Sequence, residues 1–124
     1  MKKALIIIDM QIMPFIWKIH PEIAPAETDP RIVKYHPDMF QDTDLDGILK
    51  REGIESLVLC GFQTEYCVDT ACRSAYAYGY KTELAMDGHS TFDANGLKAE
   101  QIVSHHNETL TVFAEVKPSA EITF

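Results

Sequence analysis

The stretch Ser56-Leu57-Val58-Leu59-Cys60-Gly61-Phe62-Gln63-Thr64-Glu65-Tyr66-Cys67-Val68-Asp69-Thr70-Ala71 decides the fold. Its first five residues form an apolar run of strand length, and Gly61 ends it. Thr64 then offers an N-cap for a helix over Glu65–Tyr78, with Val68, Ala71, Cys72, Ala75 and Tyr76 on one face and Gly79 as its stop. A strand feeding straight into a helix is half of a β-α-β unit. Further strands are predicted at Ala4–Ile8, Lys81–Ala85 and Thr111–Val116, with a weaker candidate at Arg31–Lys34. Helices are predicted at Asp42–Arg51, stopped by Gly53, and at Leu97–Thr109 after Asn95-Gly96. This alternation predicts an α/β fold: a doubly wound, mostly parallel sheet with helices on both faces.

Residues 12–30 break the pattern. They hold Pro14, Pro21, Pro25 and Pro30 without a sustained period, which predicts a long surface loop. With 124 residues and no linker, repeat or low-complexity tract, one domain over 1–124 is expected.

Composition narrows the function classes. The chain is 46% hydrophobic and 24% charged, ordinary for a globular protein. Eleven Lys+Arg against nineteen Asp+Glu give a net charge of −8, a field that repels nucleic acid and anionic membranes. The apolar run Ala4–Ile8 is far too short for a span, and Asp9 cuts it off before a signal peptide could form. A cytoplasmic location is therefore expected. Three cysteines, Cys60, Cys67 and Cys72, are expected to be reduced thiols.

Ligands of open α/β sheets sit beyond the carboxyl ends of the strands. Asp9, Lys34 and Cys67 fall at that edge. Cys67 would lie in the first helical turn, where the Thr64 hydroxyl caps its amide and the helix dipole lowers the thiol pKa. The free amides of that turn offer oxyanion stabilisation. The competing reading of Cys67 is a small buried hydrophobe, which is also the expectation for Cys60 and Cys72. Asp9 reads as a general base or as a satisfied strand-end acid, and Lys34 as a thiolate partner or a solvated charge. The five histidines show no H-x-x-x-H pair, and His105 and His106 would point about 100° apart on a helix. No metal and no cofactor is expected.

Three segments resemble the isochorismatase-like cysteine hydrolases. They are Leu5-Ile6-Ile7-Ile8-Asp9-Met10-Gln11, Val33–Leu45 with Phe40 six residues after Lys34, and Gly61–Ala71 around Cys67. Met86-Asp87-Gly88-His89-Ser90-Thr91 is similar to that family's Asp-containing turn. The resemblance implies a Rossmann-like three-layer fold and hydrolysis of a small-molecule amide or related C–N bond through a Cys thioester. Asp9 would take the thiol proton, Lys34 would hold and polarise the pair, and Cys67 would attack. Backbone amides of Gln63 and Cys67 would form the oxyanion hole, and Phe62–Gln63 would be a cis peptide.

One departure stands out. Only 24 residues lie between Asp9 and Lys34, where the family carries a longer segment with a helix, a strand and part of the pocket. Trp17–Ile23 resembles the end of that segment. Losing it would bare apolar surface and a sheet edge, so a homo-oligomer is expected. It also supports the alternative of a catalytically impaired binding or assembly module. A phosphoacceptor receiver domain is excluded, because strand 1 ends in a single acid, Asp9.

Overall fold

The computed structural model describes residues 1–9 and 21–124. Among the described residues the sheet has four parallel strands in chain order: β1 (Lys3–Ile8), β2 (Ser56–Phe62), β3 (Lys81–Ser90) and β4 (Glu115–Lys117). The crossovers carry α1 (Leu45–Arg51), α2 (Asp69–Ala77) and α3 (Ala99–Thr109). This is the expected α/β arrangement of a parallel sheet with helices.

Strand alternation splits the sheet into two unlike faces. Ile8, Leu57, Leu59 and Leu84 point to the face where Leu45 and Leu49 of α1 and Val68, Ala71, Cys72 and Ala75 close the core. Phe40 joins that core, stacking on Tyr78 at 4.3 Å and Tyr80 at 5.9 Å between ring centroids. The Tyr80 hydroxyl donates to Asp46 Oδ1 of α1 at 2.6 Å, which ties the end of α2 to α1.

The opposite face is built differently. It carries Val58, Glu83 and Ala85, all buried, and Glu83 pairs with both Lys3 of β1 and Lys117 of β4. Burial alone would raise the Glu83 carboxyl pKa, but hydrogen bonds from Lys117 and Lys3 outweigh it and hold the group below its ordinary value. Lys3 Nζ also donates to the Thr123 carbonyl at 2.6 Å.

Several sequence expectations shift. A sheet with helices on both faces would cover the apolar β1 on both sides, yet Leu5 is 48% and Ile7 43% exposed. Both lie on the face away from the core helices, at the end of the described sheet. The predicted strand Thr111–Val116 begins late. Residues Leu110–Val112 form a 3₁₀ turn, in which the Phe113 and Ala114 amides both donate to the Leu110 carbonyl at 2.9 Å. Burial of Leu110 outweighs the β-preference of Thr111 and Val112. Arg31–Lys34 forms no strand, since its backbone pairs with none of the four strands; the Lys34 ammonium instead bonds the carbonyls of the turn that follows. The 12–30 loop is described from Pro21, where Pro21–Ile23 is a single 3₁₀ turn, and most of the Trp17–Ile23 stretch lies outside the described residues.

Candidate active site

The carboxyl ends of β1 and β2 are pressed together at one point. Gly61 has φ +126°, and a Cβ built there would stand 2.2 Å from the Ile8 carbonyl oxygen. Only glycine permits that approach. It sets Asp9, the residue that follows β1 and is itself at φ +46°, beside the chain leaving β2. That chain continues through a cis Phe62–Gln63 peptide into a π turn over Thr64–Val68 and then α2. The Tyr66 and Val68 amides both donate to the Gln63 carbonyl, so the turn closes around Gln63.

Asp9, Lys34 and Cys67 meet there. Lys34 Nζ lies 3.2 Å from Asp9 Oδ2 and 3.3 Å from Cys67 Sγ. Its remaining acceptors are the His36 carbonyl at 2.9 Å and the Pro37 carbonyl at 3.4 Å. Four acceptors thus aim a side chain that sequence spacing alone would leave as a solvated charge. His36 Nε2 pairs with Asp42 Oδ2 at 2.9 Å, which braces the loop presenting those carbonyls. The ammonium is largely buried while Asp9 is about one-third exposed, so the cluster opens to solvent on the carboxylate side.

The thiol differs from expectation. Burial pushes the Cys67 pKa up, the Asp9 carboxylate adds to that rise, and Lys34 only partly opposes it. The shift therefore runs opposite to the helix-dipole expectation, with burial its largest cause. Cys72 is fully buried, with its pKa pushed up to about 12 by burial, and Cys60 is half-buried and also raised by burial. Neither is placed to react.

The capping role expected of Thr64 is also corrected. Gln63 occupies the N-cap position without a side-chain bond, and the Thr64 hydroxyl faces His89 Nδ1 at 2.9 Å. Thr64 is fully buried inside the turn, so its oxygen meets the core rather than the helix end. Of the Met86–Thr91 segment, all but Thr91 is likewise part of β3 rather than a simple turn. Against β2 its register jumps, with Leu59 facing Leu84 but Gly61 facing His89, and the bulge delivers His89 beneath the Cys67 turn. Asp87 points elsewhere and caps Ser119 through its amide at 2.8 Å and hydroxyl at 2.7 Å.

Sequence reasoning missed His89 and its partner Asn107, whose Oδ1 lies 2.8 Å from His89 Nε2. His89 lies in the polar stretch Asp87-Gly88-His89-Ser90, past the end of the predicted strand Lys81–Ala85, so no local signal marked it. Burial lowers the His89 pKa below its ordinary value. The unfolded chain then binds the proton more readily, so the stability His89 contributes is fully present above its ordinary pKa of about 6.5 and is lost as pH falls below it. Urea midpoints are expected to decline between about pH 7 and 5. In His89→Gln that part of the decline should vanish, and an identical slope in the variant would remove His89 as its source.

With this geometry in place, comparison with known proteins is direct. The family model of the isochorismatase domain matches residues 13–116. The chain is 39% identical over 74 residues to the uncharacterised isochorismatase family protein YddQ of Bacillus subtilis, covering 60% of this chain and 41% of that protein. It is 32% identical over 77 residues to streptothricin hydrolase of Streptomyces noursei, covering 62% and 28%. The solved structure of N-carbamoylsarcosine amidase from Thermoplasma acidophilum superposes with a TM-score of 0.70 at 25% identity, over 87% of this chain and 58% of that one. The chain thus spans less than half the length of these two curated relatives. A parallel sheet whose first two strands converge on Asp9 and Cys67, together with a family match over most of its length, identifies this chain as a member of the isochorismatase family.

Proposed function

We propose that this chain is a cysteine hydrolase that cleaves a small-molecule amide or related C–N bond through a Cys67 thioester. The observation that carries the proposal is the Lys34 ammonium, set between Asp9 Oδ2 at 3.2 Å and Cys67 Sγ at 3.3 Å. A thiol whose pKa is raised needs a base at the moment of attack, and Asp9 stands beside it.

In this reading Asp9 takes the Sγ proton as Sγ bonds to the substrate carbonyl carbon. Lys34 offsets the charge that moves from carboxylate to sulfur. The amides of Gln63 and Cys67 receive the oxyanion. Collapse breaks the C–N bond, and the amine leaves with the proton held by Asp9. Water, losing a proton to Asp9, then attacks the thioester carbonyl, releasing a carboxylic acid and restoring the thiol. A relative named an amidase supports a carbonyl–nitrogen substrate. The assembled trio favours an enzyme over a non-catalytic binding module, and three free cysteines fit a reducing, cytoplasmic compartment. The exposed Leu5 and Ile7 favour a homo-oligomer, for which light scattering should give a mass above 14.0 kDa, and a soluble monomer would remove that part.

The decisive experiment offers the protein a panel of small amides and ureas, quenches it in acid and maps its peptides by mass. An acyl adduct confined to the Cys67 peptide is expected, absent in Cys67→Ser. Full turnover by Cys67→Ser would end the proposal.

A further inference from the structure

Below the Asp9–Lys34–Cys67 cluster runs a second polar chain that the proposed reaction does not use. Thr64 is fully buried, His89 is 7% exposed, and the two lie 2.9 Å apart through Oγ1 and Nδ1. His89 Nε2 lies 2.8 Å from Asn107 Oδ1 on α3, and Asn107 Nδ2 donates to the Met86 carbonyl at 3.1 Å.

The far end dictates the direction of every bond. A carbonyl only accepts, so Asn107 turns its NH₂ to Met86 and its Oδ1 to His89. That oxygen only accepts, so His89 carries its proton on Nε2. The neutral ring then has a bare Nδ1, and the Thr64 hydroxyl must donate to it. Burial, which lowers the His89 pKa, favours this neutral ring. Apolar residues of similar size would fill the same space, but they would not select one orientation of the turn. A fully satisfied buried network does.

What it orients is specific. Thr64 sits directly after Gln63 and three residues before Cys67, in the turn closed by the Tyr66 and Val68 amides on the Gln63 carbonyl. β3 supplies His89 through its bulge and α3 supplies Asn107, so three elements converge on one hydroxyl. The geometry points to Thr64, His89 and Asn107 as a positioning chain that sets the aim of the Gln63 and Cys67 amides at the reacting carbonyl oxygen. This rests on the hydrolase reading given above. None of the three touches the reacting atoms; they act through the turn.

Thr64→Val removes the donor at nearly constant volume, and Thr64→Ser restores it. Three readouts separate aim from stability, each on enzyme shown to be folded by circular dichroism. The first is the split between kcat and KM on an amide the wild type turns over. The second is affinity for propanal, whose carbonyl carbon bonds to Cys67 Sγ while the thiol proton passes to the oxygen, placing that oxygen where the amides point. The third is alkylation of Cys67 by iodoacetamide, which needs no oxyanion donors.

Thr64→Val is expected to lower kcat by roughly 10–100-fold with KM nearly constant, the scale of a misaimed oxyanion donor. Propanal binding should weaken about tenfold or more, alkylation should stay within about threefold, and Thr64→Ser should recover most of both losses. A Thr64→Val enzyme that melts lower yet keeps wild-type kcat and propanal affinity would overturn the proposal while leaving the hydrolase reading intact. Wild-type enzyme with neither turnover nor a propanal adduct would remove both.

Discussion

Asp9→Asn is expected to move two observables in opposite directions. Turnover falls by roughly 10²–10⁴-fold, the usual worth of a positioned general base. The pH at which Cys67 is alkylated moves down. That second effect follows from charge: burial is the largest reason the thiol titrates high, and the Asp9 carboxylate adds to it, so a neutral Asn relieves part of the penalty. Lys34→Ala removes the one charge among the described residues that favours thiolate at Cys67 and should move the alkylation profile up. Iodoacetamide rates against pH, resolved by peptide mapping and set beside amide turnover, read both effects together. A more reactive thiol in a less active enzyme assigns Asp9 as the base. If the alkylation profile moves up instead, Asp9 acts by holding Lys34. Turnover within a few-fold of wild type removes Asp9 from the mechanism.

Gly61→Ala is the substitution expected to damage the fold most. Its methyl would stand 2.2 Å from the Ile8 carbonyl oxygen and 2.7 Å from the Ile8 nitrogen, both backbone atoms in the parallel ladder. The φ of +126° adds conformational strain for any residue with a Cβ. Overpacking and strain together amount to about 3–5 kcal/mol, or roughly 10–20 °C in Tm for a chain of this size. Turnover of the surviving folded fraction should fall too, because a displaced Ile8 carries Asp9 with it. Gly53→Ala is the control. Gly53 has φ +68° and nothing within 4 Å of an added Cβ, so only strain of about 1 kcal/mol is expected there. Equal melting temperatures for the two variants would refute the close approach of β1 and β2.

The two substitutions also mark where sequence reasoning reached. Asp9, Lys34 and Cys67 were each legible as candidates, because a strand-end acid and a cysteine just past a Gly-ended strand follow from local pattern. The register that joins them was not. It depends on the approach at Gly61 and on the way Lys34 is aimed by its own turn's carbonyls, neither of which any one segment encodes. The thiol pKa was misjudged for a related reason. The helix dipole is a local property visible in sequence, whereas desolvation and the Asp9 charge exist only once distant segments have packed.

Composition, strand-length apolar runs and glycine stops determined the α/β class and the order of its main elements. Those signals are short-range and repeat at fixed periods. The bulge that carries His89 under Thr64, the pairing of Lys3 and Lys117 on a buried Glu83, and the exposure of Leu5 and Ile7 were decided by tertiary structure alone. Each depends on which face of the sheet receives the helices and which residues then find a partner there. A sequence read segment by segment holds the parts of that choice but not its outcome.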